Sequence, residues 1–298
     1  MGTQNKRFES IGYLNEIEAN RVLLQYMTDN KKSRETRRKL GQFATPYALA
    51  QEIVTYGLKL LNSDTIDFLE PAIGTGTIYS ALLEECEKTA KRLRKSIGFE
   101  IDDDFFFAAR KLWENSGIKI EHTDFTEADC DKKVNFLISN PPYVRHQCME
   151  REQKERLYNR TKSETGYELS GLAGLYCYFI LLSHKWLAPG AICGWLIPSE
   201  FMDVNYGGKL KEYLLNKVHL LRVHRYNPES CKFDDALVSS CVVWFKNETM
   251  ENNYNVEFSY GGTLESPEVC RNVDRNGLEK SEKWTHFPTN DAQLSNTH

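Results

Sequence analysis

No stretch of this 298-residue chain is apolar for long enough to span a bilayer. The polar start Met1-Gly2-Thr3-Gln4-Asn5-Lys6 has no hydrophobic segment of the kind that directs secretion. The eight cysteines, at positions 86, 130, 148, 177, 193, 231, 241 and 270, include no Cys-x-x-Cys pair. That spacing argues against a zinc site and against a disulfide framework, so free thiols in a reducing cytoplasm and no metal are expected. There is no internal repeat. A basic excess is also missing: the net charge is −4, which does not advertise a polyanion partner. The single glycine-rich turn, Gly74-Thr75-Gly76, lacks the Lys-Ser/Thr of a Walker loop and the third glycine of the dinucleotide fingerprint. What the chain does have is 41% hydrophobic residues, enough for one large domain or one domain plus a fragment.

Charge is unevenly placed. Lys31 to Lys39 holds six basic residues in nine, and Arg145 to Lys162 is also rich in Arg and Lys. Such runs are commonly solvated helix faces, yet a local stripe on an acidic protein can also follow phosphates.

The order of elements predicts an α/β chain. Apolar positions from Ile11 to Tyr26 are spaced as in a helix. After the loop Gly41-Gln42-Phe43-Ala44-Thr45-Pro46, a helix is expected with Pro46 as its first residue and Thr45 as its cap. Thr65-Ile66-Asp67-Phe68-Leu69 reads as a buried strand running into Glu70-Pro71-Ala72-Ile73-Gly74-Thr75-Gly76, with a helix after it. Glycines there let backbone N–H groups approach a ligand closely, and an acid just before them suits a positively charged one. Ser96 to Asp102 is a second strand ending in a carboxylate, where α/β nucleoside sites accept hydrogen bonds from ribose hydroxyls; Glu100 as a mere helix cap is the plainer reading. Helix 103–115 and strand 119–121 lead to His122-Thr123-Asp124-Phe125. An acceptor beside a ring, as in Asp124 and Phe125, meets the needs of an adenine.

Val134 to Ser139 is a buried strand that ends in Asn140-Pro141-Pro142-Tyr143. By itself this is as readily a Pro-Pro turn as a site. Residues 145–172 read as a polar, basic, irregular loop, of a length that is usually functional or disordered. Helix 175–187, strand 191–197, helix 206–217, strand 219–224 and a strand from Val238 to Phe245 follow. One further strand-like stretch, Val256 to Tyr260, precedes a polar tail.

Taken in order, GQFATP, FLEPAIGTGT, GFEID, HTDF, ISNPPY and LLSHKWLAPGAICGWLIP resemble the S-adenosylmethionine-dependent DNA adenine-N6 methyltransferases whose cofactor motifs precede Asn-Pro-Pro-Tyr. These are the methylases of type II and fused restriction-modification enzymes. The resemblance covers residues 35 to 260. It implies a doubly wound, Rossmann-like methyltransferase sheet, mostly parallel with a terminal antiparallel strand. It divides the chain into an N-terminal helical segment (1–40), a catalytic domain (41–250) and the start of an incomplete C-terminal or target-recognition region (251–298).

The resemblance also implies roles. Thr45 and Pro46 border the methionine end of the cofactor, and Glu70 with the Gly74 and Gly76 backbone holds its amino-acid moiety. Glu100 binds the ribose, Asp124 takes the adenine amino group and Phe125 stacks on that ring; Ala72, Ile101 and Asn140 complete the cofactor set. Asn140 and Pro141 act on the target base, stacked between Tyr143 and Phe233. An exocyclic amine is a poor nucleophile because its lone pair is delocalised. Two acceptors aimed at its two N–H bonds, the Asn140 side-chain oxygen and the Pro141 carbonyl, free that pair. The expected partner is double-stranded DNA, with room for an endonuclease or specificity subunit, fused or separate. A methyltransferase acting on RNA or on a glutamine of a release factor, and a non-catalytic cofactor-binding subunit, are the alternatives.

Overall fold

The computed structural model describes residues 2–228, 239–250 and 253–287, with the backbone alone for residues 2–11 and 13. Nine strands form one sheet in the order β3-β2-β1-β4-β5-β7-β6-β8-β9. They are β1 (Thr65–Glu70), β2 (Arg92–Glu100), β3 (Ile118–His122), β4 (Val134–Ser139), β5 (Leu187–Pro198), β6 (His219–Arg225), β7 (Ser240–Lys246), β8 (Asn255–Tyr260) and β9 (Val269–Asp274). Pairings from β3 across to β5 are parallel. β7 runs antiparallel between β5 and β6, β8 is parallel to β6, and β9 is antiparallel to β8. The expected mostly parallel sheet is present, with two antiparallel strands rather than one.

Helices cover both faces. On one side lie α1 (Gly2–Asp29, followed in the chain by the short α2, Arg34–Lys39), α3 (Tyr47–Leu60), α4 (Thr77–Thr89) and α5 (Asp103–Leu112), over a core of Ile53, Val54, Phe68, Leu82 and Trp244. On the other lie α6 (Arg151–Thr165), α7 (Leu175–Ser183) and α8 (Gly208–Asn216). All nine residues of α7 are buried, which its uniformly apolar sequence requires. Chain order reverses between β1 and β4, so the crevice for a ligand lies outside the carboxyl ends of these two strands. There the backbone register is short, Phe68 to Phe136 and Leu69 to Leu137. Asn135 extends it: its amide donates to the Thr65 carbonyl (2.9 Å) and accepts from Asp67 N–H (2.8 Å).

Three expectations change. Residues 151–165 are helical, not irregular: α6 has only Leu157 and Thr161 buried and is held by charged side chains in place of an apolar stripe. Thr45 does not cap α3; Pro46 occupies the cap position and the Thr45 hydroxyl is engaged elsewhere. The boundary expected at 250–251 falls between two strands of one sheet, and α9 (Arg275–Lys280) with Trp284 packs back onto it. The Trp284 indole is fully buried against Phe201 and Phe258 and donates to the Leu278 carbonyl at 3.1 Å.

Candidate active site

The carboxyl ends of β1, β2 and β4 open into one cleft. Its wall includes Glu70, Ala72, Gly74, Glu100, Ile101, Asp124, Phe125, Thr45 and Asn140, which the sequence motifs had singled out one by one. The glycine turn is tied down by Ile73 N–H to the Phe99 carbonyl (2.9 Å) and Gly76 N–H to the Ile73 carbonyl (2.8 Å). Gly74 donates to Glu100 Oε2 (2.9 Å), and Glu100 Oε1 accepts from Asp102 N–H (2.8 Å). Glu100 is therefore not the cap of α5; Asp102 is. Burial pushes the Glu100 carboxyl up to about 7 in spite of these N–H donors. Burial also holds Glu70 well above the ordinary carboxylate range, opposed by the Tyr79 N–H and the Arg21 charge and reinforced by Glu100.

At the far end of the cleft Asp124 Oδ1 accepts from Thr126 N–H (2.8 Å) and its hydroxyl (2.7 Å), so Oδ2 faces outward to Arg156 (3.4 Å). The Phe125 ring is wedged between Phe99 (5.4 Å), Phe179 (5.5 Å) and Trp186 (5.9 Å).

Asn140 stands just past the end of β4. Its amide nitrogen donates to the Phe43 carbonyl (3.1 Å) and to Thr45 Oγ1 (3.0 Å). Two acceptors on the nitrogen side fix which way the amide faces. Oδ1 is left buried and without a hydrogen-bond partner among the described residues. Pro141, the next residue, is buried. The loop 41–45 reaches this corner because Gly41, at φ +66°, lies against Tyr143: a Cβ there would sit 2.4 Å from the Tyr143 nitrogen. Tyr143 N–H donates to the Gly41 carbonyl at 3.2 Å. The Tyr143 ring is buried, its hydroxyl donates to the Leu196 carbonyl (3.1 Å), and Phe43 packs on it at 5.6 Å. It borders a second cavity, with Pro198 and Glu200, and not the cleft itself.

Residues 16–231 match the Eco57I restriction-modification methylase family, nearly three quarters of the chain. The chain belongs to that family. It is 27% identical over 219 residues to the type II methyltransferase M.AccI of Acinetobacter calcoaceticus, covering 73% of this chain and 39% of the relative. It is 24% identical over 256 residues to M.HincII of Haemophilus influenzae, covering 86% and 46%. The chain thus spans less than half the length of these curated relatives. Its fold is that of a class I S-adenosylmethionine-dependent methyltransferase from Listeria monocytogenes (TM-score 0.65, 17% identity, 90% of this chain and 80% of that one). The type IIG restriction endonuclease BpuSI superposes with a TM-score of 0.70 at 16% identity, over 92% of this chain and 35% of that one.

S-adenosylmethionine is the cofactor of this family and fold, and the cleft suits it. Glu70 Oε2 and Gln42 Oε1 are buried acceptors with no partner among the described residues. A ligand bearing N–H donors and positive charge satisfies such a wall, as an ammonium and a sulfonium do. Pro46, Gly76 and Pro141 do not line the cleft. Gly76 (φ +85°) is required by Trp113, whose indole nitrogen would lie 2.4 Å from a Cβ. Phe233 lies outside the described residues. Gln25, Asp29, Gln42, Phe43, Thr77 and Phe179 line the cleft without having been anticipated. Phe43 and Gln42 lay inside a motif already noticed; Gln25 and Asp29 belong to α1 and carried no local signal.

Proposed function

We propose that the protein transfers the methyl group of S-adenosylmethionine to the N6 amino group of an adenine flipped out of duplex DNA, as the modification component of a restriction-modification system. The observation that carries this reading is the Asn140 corner. The amide is clamped by the Phe43 carbonyl and Thr45, leaving Oδ1 without a partner among the described residues, and the backbone carbonyl of Pro141 is the second acceptor in this reading. Two acceptors held in advance of the substrate draw the two amino hydrogens out of the base plane, which localises the nitrogen lone pair for attack on the methyl carbon. A neutral amide avoids the ion pair that an aspartate would form with the sulfonium.

In this reading Glu70 accepts from the ammonium of the cofactor, Glu100 from its ribose hydroxyls and Asp124 from its adenine amine, with Phe125 against the ring. Ile101, 65% exposed at the rim, supplies apolar cover. A base stacked in a duplex must leave the stack to reach Asn140. Tyr143 takes the extruded base; stacking of this kind contributes about 1–3 kcal/mol per base. The tyrosine is suited to it because its hydroxyl bond to Leu196 keeps the ring from turning.

Methyl transfer from tritiated cofactor to duplex DNA, RNA and a release factor tests the substrate class, and single-molecule sequencing of DNA from expressing cells locates N6-methyladenine. Asn140→Ala is expected to abolish transfer while cofactor binding stays near normal. Label appearing on cytosine, RNA or protein, or normal turnover in that variant, would overturn the reading.

A further inference from the structure

The helix α1 lies upstream of every recognised motif, yet it carries a buried cation aimed at the glycine turn. Arg21 is 4% exposed. Its guanidinium binds Glu18 through two bonds (2.8 and 2.7 Å), and Nη1 donates to Thr75 Oγ1 (3.0 Å) and Thr77 Oγ1 (2.8 Å). A buried charge is tolerated only where its partners are well placed, so this contact fixes α1 against the start of α4 closely.

The hydroxyl protons decide what the arrangement can bind. Thr75 donates its proton to Gln25 Oε1 (2.7 Å), and Gln25 in turn donates to Asp29 Oδ2 (3.0 Å). Thr77 accepts from Arg21, and no described acceptor takes its proton. Thr77 is 7% exposed and lines the cleft, as does Glu70, 2% exposed, whose Oε2 has no described donor. One wall thus holds an acceptor without a donor and a donor without an acceptor. An α-amino acid end brings the complementary pair, an ammonium and a carboxylate.

We infer that Thr77 receives the carboxylate of the cofactor's amino-acid end, and that Arg21 is a positioning residue which polarises the Thr77 hydroxyl and turns its proton to the ligand. The site stands at the first turn of a 13-residue helix, whose positive end adds to the attraction for the carboxylate. The inference rests on the proposed placement of the amino-acid end at Glu70.

Calorimetric titration of the full chain with three ligands tests it. S-adenosylhomocysteine has both groups, decarboxylated S-adenosylmethionine keeps the ammonium alone, and 5′-methylthioadenosine has neither. Thr77→Val is expected to weaken the first about 10- to 100-fold, the range for a hydrogen bond to a charged group, and to leave the other two unchanged. Thr77→Ser retains binding of all three. Arg21→Met reproduces the Thr77→Val pattern; should it fail to fold, Thr77→Val stands by itself. Unchanged S-adenosylhomocysteine binding in Thr77→Val, or equal loss for all three ligands, would sink the inference. Glu70→Gln checks the underlying placement separately. It is expected to weaken the two ammonium-bearing ligands and spare 5′-methylthioadenosine; if it spares all three, the placement itself is wrong.

Discussion

Glu100 is expected to make the ligand-free protein less stable as pH rises. Its carboxyl shifts from 4.5 in the unfolded chain to about 7 in the fold because burial disfavours the charge. A raised folded-state value means that this group's favourable contribution is fully present below the unfolded pKa and is lost as pH climbs through the folded one. The shift corresponds to roughly 3 kcal/mol, an upper figure because the side chain borders the open cleft. Other groups titrate in the same interval, so the informative quantity is a difference. Urea denaturation of the wild type and of Glu100→Gln, compared at a series of pH values, should give stabilities that diverge through neutrality, the wild type losing ground. In the proposed placement ligand binding reverses the preference, since ribose hydroxyls would donate to the ionised carboxylate. The affinity for 5′-methylthioadenosine, which avoids Glu70, should accordingly rise with pH up to about 7 and then level off. Parallel stability curves for the two proteins would refute the argument that Glu100 is held neutral by burial.

Two further substitutions probe the proposed catalytic corner. Thr45→Val removes one of the two acceptors that orient the Asn140 amide (3.0 Å), and kcat is expected to fall roughly five- to tenfold, the worth of one hydrogen bond, with Thr45→Ser restoring it; an unchanged kcat would mean that the Phe43 carbonyl alone suffices. Gly41→Ala places a Cβ 2.4 Å from the Tyr143 nitrogen at φ +66°, so thermal unfolding should report a loss of at least about 1–3 kcal/mol together with lowered methylation. Wild-type unfolding and activity in that variant would show that the loop 41–45 does not lean on Tyr143.

Where an element is buried, its sequence announces it. β1, β4 and β5 are apolar runs, and α7 is apolar all round. β2 begins at Arg92, four residues before its apolar part, because its first half is charged, largely exposed and held by pairing with β1 through Thr65 and Arg92. α6 escaped the periodicity argument for a related reason. Its register is set from outside, by Arg160 donating to the Glu127 and Ala128 carbonyls (2.6 and 2.9 Å) and by Arg156 reaching Asp124 and Glu127. Those partners lie some thirty positions earlier in the chain, beyond any local pattern. The Arg21 contacts to Thr75 and Thr77 are of the same kind.

The same limit applies to the charge runs. Composition made Lys31–Lys39 and Arg145–Lys162 stand out as stripes able to follow phosphates. In the fold the first run is tied to acids of its own chain: Lys31 to Asp104 (2.6 Å), Lys32 to Asp102, Arg37 to Asp29 (3.5 Å) and Lys39 to Glu35 (3.0 Å). With Gln42 also on Asp102 (2.9 Å), it forms a strap beside the cofactor cleft. In the second run Arg156, Arg160 and Lys162 are paired with Asp124, Glu127, Asp129, Glu164 and Glu168, while Arg151 and Lys154 alternate with Glu150, Glu152 and Glu155. Cations neutralised in this way have little counterion to release on meeting a phosphate backbone. The case for DNA therefore does not rest on these runs. It rests on the family and on the Asn140 corner, an amide turned by Phe43 and Thr45 so that its oxygen has no partner among the described residues.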